Sequence, residues 1–224
     1  MSTLTFWIDV DNTLLNNDAV KQSLDEHLRV AVGPTLTELF WELYEQVRHE
    51  KEVIDIPLTL QRWREQIPAS EMDNNTYQHI LSIFENFPFF QYLYPHVLET
   101  LQYLNTLGTT VIVSDGDLVF QAEKIFNSNL AYAVEGRVLL YVHKQQHIDE
   151  ILSRYPADHY VMIDDKPQIL ADMEATLHNL LTTVFVRQGK YANSLLPPNF
   201  QPTITVDHFA DLQHITKKQF LQQS

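Results

Sequence analysis

The sequence predicts an α/β fold in which a three-layer parallel sheet core carries an inserted all-helical cap domain. Short runs rich in β-branched and aromatic residues alternate with helical segments, a pattern typical of a parallel sheet covered on both faces. This alternation is absent from residues 16–91, which lie between the first β-prone run and the later ones. Polar residues follow four of the runs, at the strand ends where such sheets bind ligands.

The strand predictions follow from these apolar runs. The first covers residues 4–8, with the sequence LTFWI. Similar runs cover residues 109–113, 137–142, 160–163 and 182–186. Residues 203–206 predict a small final strand, and residues 209–221 predict a terminal helix. Residues 97–104 have helical periodicity before Gly108, which favours a helix end.

The long segment after the first strand has helical periodicity instead. Leu36, Leu39, Phe40 and Leu43 recur at helical spacing after a plausible helix start at residues 33–35. Further helical segments cover residues 58–66 and 75–86. A crossover of this length would be unusually long. We therefore predict a catalytic core of residues 1–15 and 92–224, and a helical cap of residues 16–91.

Composition limits the partners that this chain can have. Its 224 residues include 15 Lys and Arg against 29 Asp and Glu, a formal net charge of -14, which disfavours nucleic acid. A small phosphorylated metabolite remains compatible, because a bound cation can reverse the local field. The absence of cysteine excludes disulfides and thiolate chemistry. With no visible targeting segment or apolar span, we expect a cytoplasmic protein without a membrane partner; its oligomeric state stays open.

Four of the predicted strands end in residues that can carry chemistry. These residues are Asp9 and Asp11, then Ser114 and Asp115, then Lys144, and finally Asp164 and Asp165. Carboxylates at the edge of an apolar core are costly unless they have partners or a function. Because the carboxyl ends of parallel strands form one edge of a sheet, we expect these side chains to converge.

These residues resemble the four motifs of the haloacid dehalogenase-like hydrolase superfamily, in the same order. Asp9, Asp11 and Thr13 match the first motif, Asp-X-Asp-X-Thr after an apolar strand. The matches to the other three motifs are Ser114, Lys144 and the pair Asp164-Asp165. The resemblance implies a Rossmann-like core, and many members of the superfamily carry a helical cap after the first strand.

The resemblance also implies a magnesium-dependent phosphatase that hydrolyses a small phosphate monoester. Asp9 would attack phosphorus and form an aspartyl-phosphate, while Asp11 would protonate the leaving oxygen and then activate water. Ser114, Lys144 and the backbone near Asp115 would bind the phosphate. The implied Mg²⁺ ligands are Asp9, the main-chain carbonyl of Asp11, Asp164 and Asp165.

Several alternatives remain open at this stage. Dehalogenases of this type lack a carboxylate two residues after the nucleophile, since a halide leaves without a proton, so Asp11 favours a phosphate ester. A phosphomutase or another phosphotransferase would use the same motifs, and a catalytically silent binding or regulatory member is also compatible. Lys144 lacks the proline that often follows the motif lysine, which keeps Lys124 and Lys166 as alternatives. Asp165 is the favoured direct metal ligand over Asp164.

Overall fold

The computed structural model describes residues 3–221, in which six strands form one parallel sheet of order β3-β2-β1-β4-β5-β6. The strands are β1 (Leu4–Ile8), β2 (Thr109–Asp115), β3 (Val138–Tyr141), β4 (His159–Asp164), β5 (Leu181–Val186) and β6 (Ile204–Val206). Ile8 at the end of β1 pairs with Ile112 of β2 and Ile163 of β4. The predicted parallel α/β fold is confirmed, and the polar ends of the three central strands lie side by side.

Helices cover both faces of this sheet. In chain order the α-helices of the described residues are α1 (Asn17–Lys51), α2 (Ile56–Gln66), α3 (Asn74–Glu85), α4 (Val97–Leu107), α5 (Leu118–Asn127), α6 (Leu130–Ala133), α7 (Ile148–Arg154), α8 (Pro167–Leu177) and α9 (Lys217–Phe220). Of these, α1, α2 and α3 pack mainly on one another. Side chains of β1 alternate between the faces: Phe6 and Ile8 join the apolar cluster of α4 and α5, and Trp7 joins that of α7 and α8. None of the helices within residues 3–221 has the length and apolar character needed to cross a bilayer.

The segment after β1 folds as α1, α2 and α3. Helix α1 is interrupted at Gly33, whose φ of 78° and ψ of 172° are not helical, so a second helical stretch starts where the sequence predicted a helix start. The Phe40 ring packs 5.6 Å from that of Trp63 in α2 and 5.5 Å from that of Phe84 in α3. These aromatic contacts join the three helices, and the division of the chain into cap and core stays a prediction.

The chain passes between the helical segment and the sheet twice, and the two passages are paired. Asn16 N donates to Tyr92 O over 2.8 Å, and Tyr94 N donates to Leu14 O over 3.0 Å. These bonds tie the start of α1 to the segment that leads into α4. The two hydrogen bonds therefore fix the end of the loop after β1, next to the start of α1.

The terminal helix predicted over residues 209–221 is wrong. Residues Phe209–His214 form a 3₁₀ helix, and the short α9 follows. Thr216 and Gln219 form a reciprocal capping box that starts α9 as a separate helix. The Ile215 carbonyl between the two accepts a hydrogen bond from Tyr103 Oη instead of continuing a helix. Local capping therefore outweighs the apolar periodicity.

Candidate active site

A tight turn follows β1 and carries the two carboxylates of the first motif. Asp9 is buried, and its N–H donates to Ile163 O of β4 over 3.0 Å. Asn12 adopts a left-handed conformation with φ of 62°, and its Oδ1 accepts from Asn17 N at the start of α1 over 3.0 Å. The turn is thus anchored to the sheet on one side and to α1 on the other, and it carries Asp9 and Asp11 between these anchors.

Lys144 lies at the centre of the site, after β3. Its backbone N–H donates to Asp115 Oδ1 over 2.7 Å. Its fully buried ammonium lies 2.6 Å from Asp9 Oδ1, 2.7 Å from Asp164 Oδ2 and 3.1 Å from Val113 O. Burial opposes the charge, but the carboxylates of Asp164 and Asp9 raise the pKa of Lys144 above its usual value. Lys144 therefore stays charged and joins two of the strand ends.

The other two lysines considered for this position make different contacts. Lys124 contacts Asp11 from α5, with its Nζ 2.7 Å from Asp11 Oδ1. Lys166 follows β4, and its backbone N–H donates to Asp164 Oδ1 over 2.8 Å. Of the three lysines, Lys144 is the one that the structure brings against Asp9, as the order of the motifs favours.

Three buried carboxylates gather beside Lys144. Oxygen atoms of Asp9, Asp164 and Asp165 all lie within 4.8 Å of one another. Burial raises the pKa of Asp9, with the Asp164 charge adding to the effect and Lys144 opposing it. Burial, followed by the charges of Asp164 and Asp9, raises the pKa of Asp165 to about 9. This concentration of negative charge is unfavourable for the protein alone.

The unpartnered oxygens in this cluster fit a magnesium ion. Among residues 3–221, Asp9 Oδ2 and both carboxylate oxygens of Asp165 are buried without a hydrogen-bond partner. Asp164 Oδ2 also lacks a hydrogen bond in the described residues, but it lies 2.7 Å from the Lys144 ammonium, and Asp164 Oδ1 accepts from Lys166 N. Carboxylate oxygens are the ligands that Mg²⁺ prefers. Since Asp165 has neither a hydrogen bond nor an ion pair in the described residues, it stays the favoured direct ligand, as a prediction.

Ser114 ends β2 beside this cluster. It is buried, and its Oγ accepts a hydrogen bond from Gln121 Nε2 over 2.9 Å, which leaves the hydroxyl hydrogen free to donate to a substrate. Asp117 caps α5 by accepting from Val119 N and Phe120 N, and so directs Gln121 towards Ser114. The sequence did not single out Gln121 as a site residue. Its place on the helix that follows Ser114 was the signal that could have identified it.

Asp11 is on the side of the turn that faces the helical segment. It lines a cavity of about 230 Å³ together with Arg48 and Glu52 from the helical segment, and His143 and Lys166 from the sheet side. Glu52 Oε2 lies 3.0 Å from His143 Nε2, so the two sides of the cavity are in contact. The Asp11 side chain does not belong to the carboxylate cluster found in the described residues, which leaves only its main-chain carbonyl as an expected metal ligand.

Comparisons with known proteins identify chains of similar overall fold. A haloacid dehalogenase-like hydrolase from Burkholderia xenovorans LB400 is 39% identical, with a TM-score of 0.87 over 99% of this chain and 100% of its own. A magnesium-bound hydrolase of the same superfamily from Bacillus subtilis, YfnB, is 13% identical, with a TM-score of 0.60 over 96% of this chain and 98% of its own. The L-2-haloacid dehalogenase PA0810 is 16% identical, with a TM-score of 0.59 over 96% of this chain and 98% of its own. No protein-family model and no curated protein matches the chain.

Proposed function

Because the chain belongs to the haloacid dehalogenase-like hydrolases, we propose that it is a magnesium-dependent phosphatase that acts on a small phosphate monoester through an aspartyl-phosphate on Asp9. The solved relatives include dehalogenases, whose low identity bears on the fold alone. The choice between a phosphate ester and a haloacid therefore depends on this chain's own residues.

The observation that carries the proposal is the carboxylate of Asp11. It follows Asp9 by two residues on the same turn and lines the cavity beside the site. An alkoxide leaves slowly unless it receives a proton, whereas a halide leaves without one. A partly exposed carboxylate at this position is useful for an ester and has no corresponding task in a dehalogenation.

The proposed reaction has two steps. An oxygen of Asp9 attacks phosphorus while the ester oxygen leaves and takes a proton from Asp11. Water then attacks the same phosphorus, Asp11 takes a proton from that water, and phosphate leaves as the Asp9 carboxylate is restored. Splitting the reaction in this way replaces one difficult displacement with two easier ones.

The residues around Asp9 supply charge and orientation. Lys144 holds Asp9 Oδ1 and places a positive charge where the phosphoryl oxygens would gather, and Ser114 offers its hydroxyl hydrogen to one of them. Asp9, Asp165, Asp164 and the main-chain carbonyl of Asp11 would hold Mg²⁺. When bound, Mg²⁺ neutralises the charge of the phosphoryl group and the carboxylates.

The cavity and the charge of the chain favour a small substrate. The space beside Asp11 is about 230 Å³, and Glu52 and His143, which contact each other, are among its lining residues. Its lining carries two cations, Arg48 and Lys166, beside the carboxylates of Asp11, Glu52 and Asp115. The net charge of the whole chain is -14. A small phosphorylated metabolite fits this environment better than a phosphorylated polymer.

The test compares wild type with Asp9→Asn on p-nitrophenyl phosphate and a panel of phosphorylated metabolites, with Mg²⁺ and with EDTA. We expect Mg²⁺-dependent phosphate release by wild type and none by Asp9→Asn. Halide release from 2-chloropropionate in place of phosphate release would identify a dehalogenase. Transfer of phosphate to a sugar phosphate without net release would identify a phosphotransferase. A protein that releases nothing and shows no Mg²⁺-dependent binding of beryllium fluoride would be a catalytically silent member.

A further inference from the structure

A second buried lysine serves the other carboxylate of the turn after β1. The Lys124 ammonium lies 2.7 Å from Asp11 Oδ1 and 3.2 Å from Asn17 Oδ1. Its side chain is only 4% exposed, and that of Asp11 is 18% exposed. The contact joins α5, the turn after β1 and the first residue of α1. Residues more than a hundred positions apart in sequence thus meet at this ammonium.

Packing on α5 sets the position of this ammonium. Lys124 Nζ lies 5.7 Å from the centre of the Phe120 ring, one helical turn earlier. The Phe120 ring in turn packs edge-on against that of Phe89, with centroids 5.8 Å apart. Exposed ion pairs between long side chains are weak because ordering the chains costs entropy. The entropic cost is smaller here, because the Lys124 side chain is buried beside the Phe120 ring.

The two buried lysines contact different carboxylates of the turn after β1. Lys144 contacts Asp9 and Asp164, and among residues 3–221 the carboxylate within ion-pair distance of Lys124 is Asp11. Lys124 therefore cannot have the same role as Lys144. It binds one oxygen of Asp11, Oδ1, and leaves Oδ2 for another partner.

We propose that Lys124 is a positioning residue for Asp11. It holds Oδ1 so that Oδ2 is presented to the leaving oxygen of the substrate, and its bond to Asn17 makes this orientation depend on where α1 begins. The inference rests on the proposed function, in which Asp11 transfers the proton. Proton transfer requires heavy-atom distances of about 2.6–3.2 Å, so a carboxylate that rotates freely is a poor acid.

This role predicts an effect that depends on the leaving group. Phenyl phosphate expels a weakly acidic phenol, with a pKa of about 10 as in tyrosine, and needs a proton in the transition state. 2,4-Dinitrophenyl phosphate has a similar ring but expels a stable anion that needs none. The ratio kcat/KM reports formation of the aspartyl-phosphate for both, so later hydrolysis of the intermediate does not obscure the comparison.

The experiment measures kcat/KM for both esters with Mg²⁺ in Lys124→Met and Lys124→Arg. We expect Lys124→Met to lose about 10- to 100-fold on phenyl phosphate and less than about threefold on 2,4-dinitrophenyl phosphate. Lys124→Arg keeps the positive charge and should recover most of the loss. Asp11→Asn should show the same selectivity, and adding Lys124→Met to it should cost less than about threefold more, because the two residues act as a unit.

Lys218→Met is the matched control, since it removes a lysine charge from an exposed site on α9. It should leave both esters unaffected, while thermal melting checks that each variant is folded. Equal losses on both esters in a folded Lys124→Met would overturn the proposal, and so would the absence of any loss. A wild type that hydrolyses neither ester with Mg²⁺ would refute the proposed function itself, and the role of Lys124 with it.

Discussion

The Lys144 ammonium lies 2.6 Å from Asp9 Oδ1, and neither side chain is more than 2% exposed. It also lies 2.7 Å from Asp164 Oδ2, so one buried cation contacts two buried carboxylates, one after β1 and one at the end of β4. Solvent cannot stabilise these charges if one of them is removed. Lys144 therefore contributes to the folded state as well as to the proposed chemistry.

Lys144→Met should lower the free energy of unfolding of the metal-free protein by about 3–5 kcal/mol, because it leaves Asp9 and Asp164 without their cation. Urea unfolding of wild type and variant measures this loss. Asp9→Asn/Lys144→Met is the matched control, since removing one of the two carboxylates should return part of the stability. An unchanged urea midpoint in Lys144→Met would contradict this account of the site.

Asp165 should have the opposite effect on stability. Both of its oxygens are buried without a hydrogen-bond partner in the described part of the chain, beside Asp9 and Asp164. Because burial and the neighbouring carboxylates raise the pKa of Asp165 to about 9, the metal-free protein must take up a proton on this side chain when it folds at neutral pH. Asp165→Asn removes that cost, so the metal-free variant should melt at a higher temperature than wild type. It should also lose the rise in Tm that Mg²⁺ gives wild type, because ligand binding stabilises the folded state by mass action. Thermal melts with and without Mg²⁺ measure both effects.

Asp149→Asn controls for this comparison, because it removes an exposed carboxylate from the first turn of α7. It should keep the response to Mg²⁺ and gain no stability. If the Asp165→Asn protein responds to Mg²⁺ like wild type, the metal binds to other ligands.

The fold was predictable because its signals are local. The first strand was predicted with the bounds that the structure has, since an apolar run ends abruptly at Asp9. Helix α3 begins one residue before its predicted start, after the Asp73 cap, for the same kind of reason. The terminal helix failed because the capping box at Thr216 and the bond from Tyr103 to Ile215 outweigh the periodicity, and that bond joins residues distant in sequence.

The site was predictable as a set of residue types at strand ends, but not as a set of contacts. The sequence left three lysines as candidates for one position, and only the packing of α5 shows that Lys124 meets Asp11. Gln121 was missed because a glutamine in a helix carries no distinguishing pattern until its contact with Ser114 is known. Strand order brings motifs together, whereas helix rotation decides which side chains support them.

His159 gives the stability a pH dependence that is separate from the site. It begins β4, and its Nε2 lies 2.9 Å from Thr182 Oγ1, which itself donates to Phe220 O. Burial lowers the pKa of His159 below its usual value of 6.5. Below about pH 6.5 the unfolded chain binds a proton on His159 that the folded chain resists. The free energy of unfolding therefore decreases as the pH falls through this range.

We expect His159→Gln to lose less stability than wild type when the pH falls from about 7 to about 5, with a difference of at most about 1.4 kcal/mol per pH unit for one titrating group. Urea unfolding at several pH values measures the slope. His214→Gln, which removes an exposed imidazole, should keep the wild-type slope. Parallel slopes for wild type and His159→Gln would show that His159 titrates alike in both states.

Gly189 supports the catalytic turn from the segment after β5. Its φ is 61°, and a Cβ there would lie 2.4 Å from Asn12 Cγ. Gly33→Ala is the matched control, because Gly33 also has a positive φ, of 78°, but in the described part of the chain a Cβ at Gly33 would meet nothing within 4 Å beyond its own chain neighbours. Both substitutions incur about 1–3 kcal/mol of backbone strain. Gly189→Ala should be the more destabilising of the two in urea, because its Cβ also collides with Asn12. It should lower kcat/KM as well, because a displaced Asn12 loses the hydrogen bond from Asn17 N and shifts Asp11 on the same turn. Equal kcat/KM in the two variants would show that the turn tolerates displacement of Asn12.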